Sequence, residues 1–228
     1  MPHAYVADVA SPELTAQDRH HLQRVLRTRV GEAVTVSDGV GGWRECRLGA
    51  GGRLEAVSLP TVVARPQPSV TVGIAVTKGA RPEVAVQKLT ELGVDRIVPF
   101  LAERSVARWQ PERAAHHVER LRRVAREAGV QARLAHLPAI DELATFDDAA
   151  ALVGAALAVP GGEPPAHAGQ VLLIGPEGGW TQDELATGLP RVALGPTTLR
   201  AETAAIAAGT LLTALRSGAV VARGRSNA

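Results

Sequence analysis

Between Tyr5 and Val63 apolar and polar positions alternate in short runs broken by glycines: Ala33-Val34-Thr35-Val36-Ser37 before Asp38-Gly39, Trp43-Arg44-Glu45-Cys46-Arg47-Leu48 before Gly49, and Leu54-Glu55-Ala56-Val57. Period-two alternation over runs this short, with Asp-Gly and Gly-Gly turns between them, predicts a small, mostly antiparallel β domain. One helical patch interrupts it, from Thr15 to Arg29, where Leu22, Val25 and Leu26 share a face and His20, Arg24, Arg27 and the nearby Arg19 lie elsewhere. The stretch Ala64-Arg65-Pro66-Gln67-Pro68-Ser69 has two prolines within three residues and no apolar periodicity, so it reads as a linker. The domain boundary is placed there, with residues 1–66 before it and 67–228 after it.

Beyond the linker the pattern changes to strand, helix, strand. Val70–Val76 and Arg96–Phe100 read as strands, Pro82–Leu92 as a helix closed by Gly93, and Pro111–Ala128 as a helix closed by Gly129. That alternation predicts a mostly parallel sheet covered on both faces. In the Pro111 helix Ala114, Val118, Leu121 and Ala125 share one side and His116, Arg120 and Arg123 the other, a basic face that is either solvated surface or a track for phosphates. A further helix is expected to open at Asp141, with a strand over 151–159 and a loop over 160–165. Thr181 and Glu184 have capping-box spacing, the last helix spans Ala201 to Arg216, and the polar tail from Arg223 is expected to fray.

Two stretches stand out from this background. Val171-Leu172-Leu173-Ile174 runs into Gly175-Pro176-Glu177-Gly178-Gly179-Trp180, and Val192-Ala193-Leu194 runs into Gly195-Pro196-Thr197-Thr198-Leu199-Arg200-Ala201-Glu202-Thr203-Ala204. A short apolar run stopped by Gly-Pro is the pattern of a buried parallel strand, and the crevice beyond such strand ends is where open α/β sheets bind ligands. Glycines there leave bare backbone for a flat ligand. Neither loop has the Lys and Ser or Thr of a phosphate-binding P-loop, and neither is a dinucleotide fingerprint.

These paired loops resemble the signature of the ribosomal RNA small subunit methyltransferase E family, and the likeness runs over nearly the whole chain. The resemblance implies an α/β architecture: a small N-terminal PUA-like β-barrel that grips RNA, then a SPOUT domain with a parallel sheet and a C-terminal trefoil knot. It implies S-adenosylmethionine as cofactor, held by Leu173 through Gly179 and by Leu194, Gly195, Leu199, Thr203 and Ala204. The implied target is N3 of a uridine in 16S rRNA within a small-subunit particle, with the homodimer habitual in the family. Arg19, Arg24, Arg27, Lys78, Arg104, Ser105 and Arg133 are the matching candidates for RNA contact. Two departures from the family pattern are Arg133 followed by Leu134, where many members place an Arg differently, and Thr198 in place of an aliphatic residue.

Composition narrows the rest. Cys46 is the single cysteine, which excludes an intramolecular disulfide and thiolate metal clusters and fits a reducing cytoplasm. No apolar run approaches the roughly 20 residues of a membrane span, and the seven histidines form no H-E-x-x-H motif, so no membrane or metal partner is expected. The formal charge of +2 argues weakly for a polyanionic partner, but the cations are almost all Arg, the better fork for phosphates and bases.

Methyl transfer to uracil N3 needs alignment in a water-poor pocket, a base for the imide proton, and donors for the charge developing on the flanking oxygens. Arg200 is the candidate donor. Glu202 and Glu177 are the carboxylates nearest the loops; either could take the proton, and either could instead be structural, Glu202 as a helix-start acid and Glu177 as an organiser of loop amides. Cofactor loops do not encode the target, so another RNA substrate or a non-catalytic RNA-binding role in ribosome assembly are the competing readings.

Overall fold

The structure, a computed structural model, describes residues 1–79, 81–167, 169 and 171–221; the tail expected to fray from Arg223 lies outside them. The chain divides into two compact units, the first made of residues 1–65 and 126–137, the second of 66–125 and 138–228.

In the first unit strands β1 (His3–Tyr5), β2 (Ala33–Ser37), β3 (Gly42–Leu48) and β4 (Leu54–Ala56) lie in that order, with β5 (Thr61–Val62) also on β3. Only the β1–β2 pair is parallel. Among the described strands no pairing joins β4 back to β1. The period-two pattern separates the faces: Val34, Val36, Cys46 and Leu48 are buried with Leu22 and Leu14, while Thr35 and Ser37 point the other way. On that side His3 is buried between two hydroxyls, its Nδ1 3.0 Å from Thr35 Oγ1 and its Nε2 3.2 Å from Ser37 Oγ. Both Ser37 Oγ and Tyr5 Oη donate to the Leu134 carbonyl, at 3.1 and 2.9 Å. Burial disfavours the imidazolium and lowers the His3 pKa to about 4, with the charges of Arg133 and Arg126 pushing the same way.

Two sequence expectations fail here for identifiable reasons. The helix expected over Thr15–Arg29 is only α1 (Ala16–His20), capped by Thr15, and then widens into a π-turn over His21–Val25. The wider turn takes the chain off the 3.6-residue register, so Leu22 stays inside while Val25 and Leu26 are 60 % and 45 % exposed. Gly129 does not end its helix, which continues to Ala132; a Cβ there would come within 2.5 Å of Leu137 Cδ2 and Tyr5 Oη, so the glycine permits close packing.

The second unit carries a parallel sheet of β6 (Thr71–Ala75), β7 (Arg96–Leu101), β8 (Ala139–Ile140), β9 (Ala144–Thr145), β10 (Ala155–Glu163), β11 (Val171–Ile174) and β12 (Arg191–Val192). The order is β12-β10-β11-β6-β7-β8, with β9 also on β7. Every pairing is parallel, as the apolar runs and alternating helices require. Strand β11 shows the two-faced burial: Leu172 and Ile174 join a core with Val72, Ile97, Val118 and Leu212, and Val171 and Leu173 join another with Phe100, Leu157 and Ala149. Helices α2 (Arg81–Glu91), α3 (Pro111–Ala132) and α6 (Ala201–Arg216) supply side chains to the first core, and α4 (Phe146–Ala150) to the second.

No helix opens at Asp141, whose carboxylate instead holds Arg96 through contacts of 2.6 to 3.1 Å; α4 starts later, behind a capping box of Thr145 and Asp148. Strand β10 begins four residues after the expected 151, once Gly154 (φ 81°) has turned the chain out of α4. It then runs through most of the expected loop, with both Ala158 and Glu163 opposite Val192, a bulge that absorbs the intervening residues.

Candidate functional site

The middle of β10 and the ends of β11 and β12 open on a cavity of about 420 Å³, walled by the two Gly-Pro loops and by the start of α6. This is the place that the parallel topology reserves for a ligand. Apolar wall comes from Ile174, Leu194, Leu199 and Ala204, and polar groups from Glu177, Thr197, Thr198 and Arg200. The volume lies within the range of small-molecule sites.

The two loops are built differently. In the first, Gly175 is bare because the Trp180 indole covers it: a Cβ would meet the ring at 2.9 Å. The indole is fixed in turn, stacked on Phe100 with centroids 6.2 Å apart and donating its N–H to the Ala158 carbonyl at 3.0 Å. Gly178 faces Arg104, whose Cβ and carbonyl oxygen would lie 3.0 and 3.2 Å from an added Cβ. The side-chain space at Gly178 is thus taken by Arg104, and Gly178 is not among the residues that line the cavity. Gly179 has φ 67° and open surroundings, so its glycine serves the backbone turn. Arg81 ion-pairs with Glu177 from the start of α2, and one-turn helix α5 (Gln182–Leu185) follows behind its Thr181–Glu184 capping box. Among the described residues the second loop shows no such tethers: Gly195 has nothing within 4 Å, and Arg200 precedes α6 with no side-chain cap bond.

Beside the cavity, sharing Ile174 and Ala201 with it, is a niche of about 10 Å³ lined by Thr77, Arg81, Pro82 and Glu202. One carboxylate oxygen of Glu202 is buried there without a hydrogen-bond partner among the described residues. The room is about that of one water molecule.

With this geometry in place the comparisons with known proteins can be read. A family profile described as an RNA methyltransferase domain matches residues 65–213, and one described as an RNA methyltransferase PUA domain matches residues 14–58. The ribosomal RNA small subunit methyltransferase E of Mycobacterium bovis is 36 % identical over 216 residues, covering 82 % of this chain and 80 % of that protein. This chain belongs to the ribosomal RNA small subunit methyltransferase E family. Among solved structures, that of the family member from Neisseria gonorrhoeae bound to S-adenosylmethionine is similar with a TM-score of 0.80 at 28 % identity, over 94 % of this chain and 98 % of the other. A methyltransferase of Legionella pneumophila, in complex with the same cofactor, is similar with a TM-score of 0.80 at 26 % identity, over 93 % and 96 %.

Of the residues expected to hold the family's cofactor, Ile174, Gly175, Pro176, Glu177, Gly179, Leu194, Gly195, Leu199 and Ala204 line the cavity, as does Arg200. Leu173 is fully buried behind it, Gly178 is turned to Arg104, and Thr203 is exposed on α6 outside the lining. Glu202 faces the niche and not the main cavity. Sequence reasoning missed the third wall, Ala158-Val159-Pro160 of β10, and Trp180. An apolar run does precede that wall's breaker, but the breaker is Pro160-Gly161-Gly162 and not the Gly-Pro of the other two. It also missed Arg81, whose role is set by tertiary pairing with Glu177.

The candidates for RNA contact divide between the units. Arg19, Arg24, Arg27 and Arg133 are exposed side chains of the first unit, so residue 133 falls with the N-terminal arginines despite its distance in sequence. In the second unit Lys78 is exposed after β6, and Arg104 is exposed but already engaged, donating from Nη1 to the carbonyls of Gly178 and Trp180 at 3.2 and 3.1 Å. Ser105 is only 5 % exposed and accepts the Ala102 N–H at 3.2 Å, so it closes a turn instead of presenting a surface contact. Among the described residues no group of three or more His, Cys, Asp or Glu is placed to hold a metal, and no helix is long and apolar enough to cross a membrane.

Proposed function

We propose that this protein uses S-adenosylmethionine to methylate N3 of a uridine in 16S rRNA, in the cytoplasm, as a homodimer acting on a small-subunit particle. In this reading residues 1–66 form a PUA-like barrel that grips RNA, and residues 67–228 form a SPOUT domain whose C-terminal chain is knotted. The observation that carries the proposal is the 420 Å³ cavity framed by two Gly-Pro loops at parallel strand ends, in a chain of this family.

The residues present fit the cofactor. Bare backbone at Gly195 with apolar wall at Ile174, Leu194 and Leu199 suits a flat heterocycle, and Glu177, Thr197 and Thr198 offer polar partners. When bound, S-adenosylmethionine supplies an electrophilic methyl group. The protein's own part is to hold the uracil edge in line, exclude water, and manage one proton. Arg200, on the cavity wall with no side-chain cap bond, donates to the carbonyl oxygens as the N3 proton leaves. That proton goes to a carboxylate, directly at Glu177 or through one water of the niche at the unpartnered oxygen of Glu202.

The test is mass spectrometry of 16S rRNA nucleosides from cells with and without the protein. Loss of N3-methyluridine on deletion, and its return with the wild-type chain but not with Arg200→Ala, is expected; undiminished N3-methyluridine in the deletion would sink the proposal. Sedimentation at micromolar concentration tests the dimer, and a fully active monomer would remove it.

A further inference from the structure

We infer that Arg104 and Glu184 are positioning residues that hold the first Gly-Pro loop in its ligand-ready shape from behind, so that Arg104 acts on the cofactor site through that loop. The inference rests on the reading that the cavity takes S-adenosylmethionine.

The loop from Gly175 to Trp180 has little internal structure. Its own backbone contributes one hydrogen bond, Gly179 N–H to the Pro176 carbonyl at 2.9 Å. A segment this rich in glycine is entropically costly to fix, and affinity falls if binding must fix it. The turn after β7 supplies the restraint. Nη1 of Arg104 has two N–H groups and spends them on two carbonyls of the loop, Gly178 at 3.2 Å and Trp180 at 3.1 Å. The neighbouring residue completes the clamp through its backbone: Glu103 N–H donates to Glu184 Oε1 at 3.0 Å, while Glu184 Oε2 accepts Thr181 N–H at 2.8 Å. Glu184 is only 5 % exposed and its two oxygens go to two different segments, so it is a bridge as well as a cap. Ser105 closes the same turn on Ala102, which fixes the direction from which Arg104 approaches.

This arrangement explains two facts together. Gly178 is glycine because the Arg104 side chain and backbone lie against it, and Arg104, though exposed, has its direction fixed by the two Nη1 bonds, with Nε and Nη2 left over among the described residues. Neither residue lines the cavity, so both act through the loop.

The test uses the full-length protein with Arg104→Met, Arg104→Lys and Glu184→Gln. Titration calorimetry with S-adenosylmethionine should show Kd raised at least tenfold in Arg104→Met and within about threefold of wild type in Arg104→Lys, which retains donors. Glu184→Gln keeps the shape but offers one oxygen for two N–H groups, so a threefold to tenfold loss is expected. Steady-state assays should show the loss in KM for the cofactor with kcat within threefold. Arg104→Met with unchanged cofactor affinity overturns the inference. So does a Glu184→Gln protein with native melting behaviour and wild-type KM for the cofactor. Absence of calorimetric binding by the wild type would instead remove the cofactor reading itself.

Discussion

The two units meet the demands of recognition in opposite ways. In the second, the site is a cavity shaped by bare backbone and apolar wall, with glycines whose missing Cβ atoms make room for Trp180 and Arg104. In the first, the candidate surface consists of exposed guanidiniums, two of them at backbone positions that disfavour any side chain: Arg27 and Arg133 have φ of 54° and 55°. A concave site gains by being preformed, and a phosphate-binding surface gains by keeping donors free. Variants of the cavity wall should therefore move cofactor affinity, and variants of the first unit's exposed arginines RNA affinity.

The largest effect is expected from Leu199→Asp. Leu199 lines the cavity and packs on the main core of the second unit, so a carboxylate there would be desolvated without a partner. Cofactor Kd should rise about a hundredfold or more, roughly 3 kcal/mol, with RNA binding by the first unit retained. A change below tenfold would put the cofactor somewhere other than this cavity.

A similar magnitude is expected from pH in the first unit. His3 is held neutral, with a folded pKa of about 4 against 6.5 for the free side chain, so the unfolded chain binds the proton first as pH falls. Stability from this group is complete above pH 6.5, falls as pH drops toward 4 and is flat below; the full difference is on the order of 3 kcal/mol. Urea unfolding of wild type and His3→Gln at pH 7 and 4.5 isolates the contribution. Equal pH dependence in the two proteins would mean that the network of Thr35 and Ser37 tolerates an imidazolium.

Within the second unit the loops themselves can be set against each other. Gly175→Ala drives a methyl group to 2.9 Å from an indole that cannot swing away, being stacked on Phe100 and bonded to Ala158. A cost of about 1–3 kcal/mol is expected, a loss of several degrees in Tm. Gly195→Ala enters open space at a φ that other residues adopt, so it should stay within about 0.5 kcal/mol. Scanning calorimetry on the pair decides it, and equal losses would mean that the second loop is as tightly held as the first.

Legibility followed the range of the interactions. The parallel sheet and the shared cavity were readable because buried strands and Gly-Pro breakers are local signals, and the capping box at Thr181 and Glu184 appears where its spacing placed it. The wall at Ala158–Pro160 was not read as part of the site because Pro160-Gly161-Gly162 looks like a loop, whereas pairing with distant β12 carries the strand through it as a bulge. The π-turn at His21–Val25 was hidden for a different reason: Leu22, Val25 and Leu26 satisfy helical spacing equally well whether or not the turn widens. Arg81 and Glu177, or Arg104 and Gly178, are joined only in three dimensions.

The smallest expected effect bears most directly on what the first unit is for. Arg27 follows the end of the π-turn and Arg133 the end of α3, positions where a helix hands over to a left-handed residue and glycine is the usual choice. A non-glycine residue in that conformation costs about 1 kcal/mol or somewhat more. Both side chains are exposed. If the guanidiniums bind phosphate, Arg27→Gly and Arg133→Gly should each raise stability by about 1 kcal/mol while weakening RNA binding severalfold and flattening its dependence on salt. Cofactor titration should be unchanged. Variants that gain stability and keep RNA affinity would show these arginines to be tolerated strain, and the electrostatic half of the contrast would then rest on Arg19 and Arg24 alone.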